Sequence, residues 1–195
     1  MNIKICLCCL VVLTASACAS SPNSHFYMLA PMQEAAVSAP AAADNRVSIC
    51  VGPVLVPGYL DRMPMCVRDS AHEVTYAEFH RWAESLEHGI SRVLVENLSQ
   101  LLGTARIDVF PWKTPAPADY QVRVMLIRFD GALGEQAVLK ARWSLTVAGK
   151  EMPVVDTMSA MTEPVKSKTY AALVEAQNRT LDRLSREIAS AIQAQ

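Results

Sequence analysis

This chain has no block of like charge. Its 18 lysines and arginines stand against 19 aspartates and glutamates, a formal net of −1. That balance argues against a basic surface for nucleic acid. The chain also lacks the common catalytic signatures. There is no G-x-S-x-G elbow, no P-loop, no H-E-x-x-H pair and no Rossmann glycine fingerprint. Its four histidines, His25, His72, His80 and His88, are scattered. A His80/Glu84 acid–base pair can be drawn, but spacing places no nucleophile or second carboxylate beside it. The stretch His80-Arg81-Trp82-Ala83-Glu84 reads instead as a loop-edge cluster that pairs charges and buries Trp82. No internal repeat is visible. These absences point away from an enzyme, and no cofactor is expected.

A long apolar run is missing too. Residues 5–13 are apolar but fall well short of the about 20 residues that span a bilayer. They fit the apolar region of a cleaved signal, which runs to roughly 7–15 residues. Lys4 precedes them, and Thr14-Ala15-Ser16-Ala17-Cys18 follows. Basic start, apolar stretch, small residues and then Cys is the order of a bacterial lipoprotein signal. Cleavage would fall before Cys18, whose thiol would carry a diacylglycerol. Each buried acyl CH₂ contributes about 0.8 kcal/mol, so several chains on one Cys make a durable anchor. Ala19 and Ser20 follow rather than Asp, which favours the outer membrane over retention at the inner one.

Cysteine is scarcer than its count of six suggests. Cys6, Cys8 and Cys9 leave with the signal, and Cys18 is taken by lipid. Only Cys50 and Cys66 remain. An oxidising periplasm permits a bridge between them, and their candidate strands make one geometrically reasonable. Two buried free thiols are the equal alternative. No His or Cys lies near them at ligand spacing, so no metal is expected. Losing Lys4 leaves 17 cations against 19 anions in the mature chain, a net of −2.

Three segments follow: a signal over residues 1–17, a lipidated tether over 18–45, and one domain over 46–195. The stretch 35–43 is rich in Ala and has little to bury. Within the tether, His25-Phe26-Tyr27-Met28-Leu29 is an apolar island. It is expected to dock as a short strand on the folded domain or on a neighbouring subunit. In the domain, strands are expected over 47–51, 65–68, 73–79, 106–110, 120–130, 136–147 and 154–162. The first should end at Gly52-Pro53, and Asp130-Gly131 should open a turn. Apolar residues at three- and four-residue spacing predict helices over 85–102 and 169–194. On the second, Glu175/Arg179 and Asp182/Arg186 are spaced for i,i+4 ion pairs. The row Arg179, Arg183, Arg186 should be a solvated face. The fold class is α+β: an antiparallel or mixed sheet with two main helices packed on one face.

With these residues laid out, the chain resembles the PqiC-type family, the paraquat-inducible protein C or ABC-type transport auxiliary lipoproteins. The resemblance runs along the whole mature chain. It rests on Cys18; on Ser24-His25-Phe26-Tyr27-Met28-Leu29; on Val51-Gly52-Pro53-Val54; and on Leu60-Asp61-Arg62 followed by Arg81-Trp82-Ala83-Glu84. Val93-Leu94-Val95-Glu96-Asn97-Leu98, Phe110-Pro111-Trp112, Phe129-Asp130-Gly131 and Ala141-Arg142-Trp143 extend it. Ser85 stands where the family often has Pro. The resemblance implies a non-enzymatic outer-membrane lipoprotein on the periplasmic face. Its implied partners are an MCE-domain periplasmic protein and the inner-membrane transporter of an intermembrane lipid transport system. A homo-oligomeric ring would suit a strand with one polar face. Asp61, Arg62, Arg81 and Trp82 are the candidate partner-binding or structural residues. The alternatives are a periplasmic lipid-binding module that carries the cargo itself, and a generic outer-membrane assembly lipoprotein.

Overall fold

The computed structural model describes residues 22–33, 47–112 and 118–195. Cys18 lies outside them. Two sheets and two helices make the fold. One sheet has the order β1-β4-β3, built from β1 (His25–Tyr27), β4 (Val74–Trp82) and β3 (Pro64–Arg68). The other has the order β5-β2-β6-β7-β8. Its strands are β2 (Ile49–Leu55), β5 (Ile107–Val109), β6 (Tyr120–Gly131), β7 (Gln136–Val147) and β8 (Val155–Pro164). It is mixed: β2 runs parallel to β5 and β6, while β6, β7 and β8 are antiparallel. The class is α+β.

The helices follow their periodicity. Helix α1 (Leu86–Leu102) starts where Ser85 Oγ accepts the His88 N–H and stops at Gly103, which takes a left-handed φ of 61°. That is the backbone region Gly enters without a Cβ penalty. Helix α2 (Tyr170–Gln193) is capped by Thr169, whose hydroxyl accepts the Ala172 N–H. Leu86, Ile90, Val93, Leu94 and Leu98 of α1 are buried, as are Leu173, Leu181, Leu184, Ile188 and Ile192 of α2. Helix α1 lies on β2 and β5, and α2 on β6, β7 and β8. Together they cover one face of the five-stranded sheet.

Two strands run past the stops expected of them. β2 continues through Gly52-Pro53 because its register with β6 shifts between Val51 and Val54. The bulge accommodates a residue with no N–H, and β5 pairs only with Ile49–Val51, so Pro53 interrupts no ladder on that side. Gly52 has φ +120°, and a Cβ there would lie 2.6 Å from Phe110 Cβ. Asp130-Gly131 opens no turn; both residues stay in β6, opposite Val138 and Ala137. A Cβ on Gly131 would meet the Gln136 carbonyl oxygen at 2.6 Å, so only Gly lets β6 and β7 approach there. A bulge in β6 lies between Leu126 and Arg128.

The ion pairs expected along α2 are replaced. Arg179 and Arg183 both reach Glu163 on β8, each at 3.3 Å. Asp182 accepts from Asn97 of α1 at 3.2 Å. Tertiary partners are closer to these side chains than their i,i+4 neighbours.

Candidate functional site

The apolar island before the domain is part of the fold. β1 lies parallel to β4, with His25, Phe26 and Tyr27 opposite His80, Arg81 and Trp82. Side chains alternate from there. Tyr27 turns inward and Leu29 is buried, whereas Phe26 and Met28 stay exposed. The backbone beyond β1 is clasped by side chains from both helices. Arg92 Nη2 donates to the Leu29 carbonyl at 2.8 Å and to Glu84 Oε1 at 2.7 Å. Asn178 Oδ1 accepts the Ala30 N–H at 3.2 Å, and Asn97 Oδ1 the Met32 N–H at 2.8 Å. Asn97 is fully buried and also donates to Ser185 Oγ at 3.0 Å. Burial of Asp182, which it also reaches, pushes that carboxyl pKa up. Asn97→Ala would strand the Met32 donor and the α2 acceptors together. A loss of about 1–3 kcal/mol is expected by urea unfolding, with faster amide exchange at Met32.

His80 anchors the other end of the clasp. Its ring stacks on Tyr170 at 3.8 Å and on His25 at 5.1 Å, and its Nδ1 is 2.8 Å from the Tyr27 hydroxyl. Burial first, and then the His25 ring, hold the His80 pKa below its ordinary value. A folded value below the unfolded one of about 6.5 means that protonation works against the clasp. Its stability is complete above about pH 6.5 and falls as pH drops below that. Amide exchange of Tyr27 and Met28, followed by NMR from pH 7.5 to 5.5, should accelerate toward acid. A flat profile would contradict this. His80 and Glu84 do not pair, since Glu84 is held by Arg92.

The corner singled out in the sequence is divided between two faces. Trp82 is 4% exposed, and its backbone N–H donates to the Met63 carbonyl at 2.7 Å. Arg81 lies half-buried on the other face of β4, in register with Phe26 and Pro64. Asp61 and Arg62 are exposed, and the Arg62 guanidinium sits 5.1 Å over the Tyr76 ring.

The densest electrostatic cluster is one that sequence reading missed. Asp130, fully buried, accepts from Arg68 Nε at 2.9 Å and Nη2 at 2.7 Å, from Arg128 Nε at 2.7 Å and from the Tyr59 hydroxyl at 2.8 Å. Burial alone would raise its pKa; the bonds from Arg68, Arg128 and Tyr59 outweigh that and hold it below its ordinary value. Burial and the Asp130 bond push Tyr59 up to about 12. Arg68 stands on β3 and Asp130 on β6, so this carboxylate joins the two sheets. Cys50 and Cys66 are buried free thiols. They lie on β2 and β3, strands of different sheets, and so face no cross-strand partner in each other. Burial pushes Cys66 up to about 11 and raises Cys50 as well.

Two surface grooves flank β7 and β8. One, of about 750 Å³, runs between the outer edge of β8 and α2, past Trp143, Arg183, Arg186 and Glu187. The other, of about 310 Å³, lies on the uncovered face beside Leu55, Met125 and Arg142. On that face Leu55, Met125, Arg142 and Met158 stand in one cross-strand row, all exposed. Arg142 is paired to Asp156 by two bonds of 2.8 and 2.7 Å.

The model of the ABC-type transport auxiliary lipoprotein components matches residues 27–189. The chain belongs to this family. Among curated proteins no sequence matches it. Two solved structures share its fold. One, an uncharacterized protein, is 20% identical with a TM-score of 0.70, covering 88% of this chain and 99% of its own. The other, a Xanthomonas campestris protein of family DUF330, is 16% identical with a TM-score of 0.68, covering 85% and 93%. The matched stretch of this auxiliary component begins at Tyr27, the last residue of β1. Among its described residues no group of three His, Cys, Asp or Glu could hold a metal. No described helix is long and apolar enough to cross a membrane.

Proposed function

We propose that this chain is the outer-membrane lipoprotein of an MCE-type, Pqi-like intermembrane lipid transport system, acting as a non-enzymatic docking subunit. In this reading Cys18 carries the lipid, and the domain holds the periplasmic end of an MCE-domain conduit at the outer membrane. Membership of a transport auxiliary lipoprotein family carries the proposal. The arm supports it. Between Cys18 and His25 lie only residues 19–24, about seven peptide steps, or roughly 25 Å when stretched. A lipid on Cys18 would thus hold β1 close to the leaflet, much nearer than a 28-residue tether would. The uncovered sheet face, with the exposed row Leu55, Met125, Arg142 and Met158, is the surface offered to the MCE partner or to neighbouring copies in a ring.

The test is affinity capture from detergent-solubilised envelopes with the chain lipidated at Cys18. Co-recovery of an MCE-domain protein and its inner-membrane transporter is expected. Capture of an outer-membrane assembly machine in their place would overturn the assignment.

A further inference from the structure

The three-stranded sheet presents an apolar and basic patch at the point where the chain enters the fold. Phe26 and Met28 are 63% and 55% exposed on the outward side of the arm. Phe26 is in register with Arg81, and Arg81 with Pro64. Register partners share a face of a sheet, so Phe26 and Arg81 stand side by side. Met63, 39% exposed, precedes Pro64, and exposed Arg62 precedes Met63. Phe26, Met28 and Arg81 thus stand on the outward side of this sheet, and the turn that carries exposed Arg62 and Met63 leads directly into Pro64, the residue paired with Arg81. Apolar side chains interleaved with arginine are the composition of a surface that lies in a headgroup region.

We propose that this patch is a membrane-contact surface that seats the domain on an anionic lipid leaflet in one orientation. Two features favour lipid over a protein occupant. One is composition, two exposed apolar side chains beside an arginine. The other is the chain's own path, because residue 18 can lie no more than about 25 Å from His25, which adjoins Phe26. The orientation part of the proposal rests on acylation of Cys18; the affinity of the patch for lipid does not. Each arginine near an anionic surface strengthens binding about five-fold.

The experiment is vesicle flotation of the full mature chain carrying Cys18→Ser, so that no acyl chain masks the patch. Vesicles of phosphatidylethanolamine and phosphatidylglycerol are compared with phosphatidylcholine alone. Several-fold preference for the anionic vesicles is expected, weakening as salt rises. Arg62→Glu/Arg81→Glu should remove the preference. Phe26→Ser/Met28→Ser should weaken binding to both compositions by about ten-fold. Unchanged thermal unfolding is the control; because Arg81 is half-buried, Arg62→Glu alone serves as a second variant, with about half the effect. Variants that float like the parent would overturn the proposal. So would variants that float like the parent yet no longer capture an MCE-domain protein, which would make the patch a protein interface. Mass spectrometry of the native Cys18 peptide reads the other arm. An unacylated Cys18 would sink the anchored reading and the orientation claim, while the flotation result would still decide the patch.

Discussion

Replacing Asp130 with alanine is expected to cost about 3 kcal/mol of folding free energy. Removing one partner of a buried charge pair typically costs about 3–5 kcal/mol, because the opposite charge is left desolvated. The Arg68 and Arg128 side chains keep 21% and 35% exposure, so water recovers part of that loss and the lower end applies. Tyr59 loses its acceptor as well. For a domain of this size the melting temperature should fall by roughly 6–12 °C. Asp130→Asn separates charge from shape. Its defect should be large at pH 7 and shrink toward acid. The sign follows from linkage: the folded pKa lies below the unfolded value of about 3.9, so the carboxylate's contribution is present above about pH 4 and is lost as pH falls through the folded value. Urea unfolding of both proteins at pH 7, 5 and 3.5 checks this. A pH-independent gap would mean that packing, not charge, holds the sheets together at Asp130.

That cluster also shows where sequence reading stops. Asp-Gly is a strong turn signal because Gly accepts φ values that other residues avoid. Here Gly131 is needed for a different reason, its contact with the Gln136 carbonyl. The partners of Asp130 lie at positions 59, 68 and 128, and two of them are distant in sequence. The helices were legible because period, cap and stop agree: Ser85, the Leu86 to Leu98 stripe and Gly103 all mark one element. β7 was legible for the same reason, since its alternation is unbroken. The parallel pairing of β2 with β5 and β6 was not, because alternation carries no information on a strand's direction or neighbour. The arm was legible as apolar but not as clasped, since its anchors Arg92, Asn97 and Asn178 are polar residues on otherwise ordinary helical turns.

Trp82→Ala should be the most damaging change in the Arg81-Trp82 pair, costing about 3–5 kcal/mol, the usual range for truncating a buried Trp. Adjacent residues on a strand face opposite sides. Trp82 therefore goes to the core while Arg81 goes to the surface with Phe26. Reading the pair as a loop-edge cluster hid that division. The core position of Trp82 also matters for the arm. Tyr27 lies in register with Trp82, and its carbonyl accepts the Ala83 N–H at 2.8 Å, so a cavity at Trp82 opens beneath β1. Two consequences can be measured separately. Urea unfolding should give the global loss, and amide exchange at Tyr27 and Ala83 should rise before global unfolding. Arg81→Gln should leave stability within about 0.5 kcal/mol, the usual range for a surface change. Its effects should appear in membrane or partner binding. Equal destabilisation by both substitutions would mean that Arg81 is a structural residue, and would remove it from the candidate binding surface.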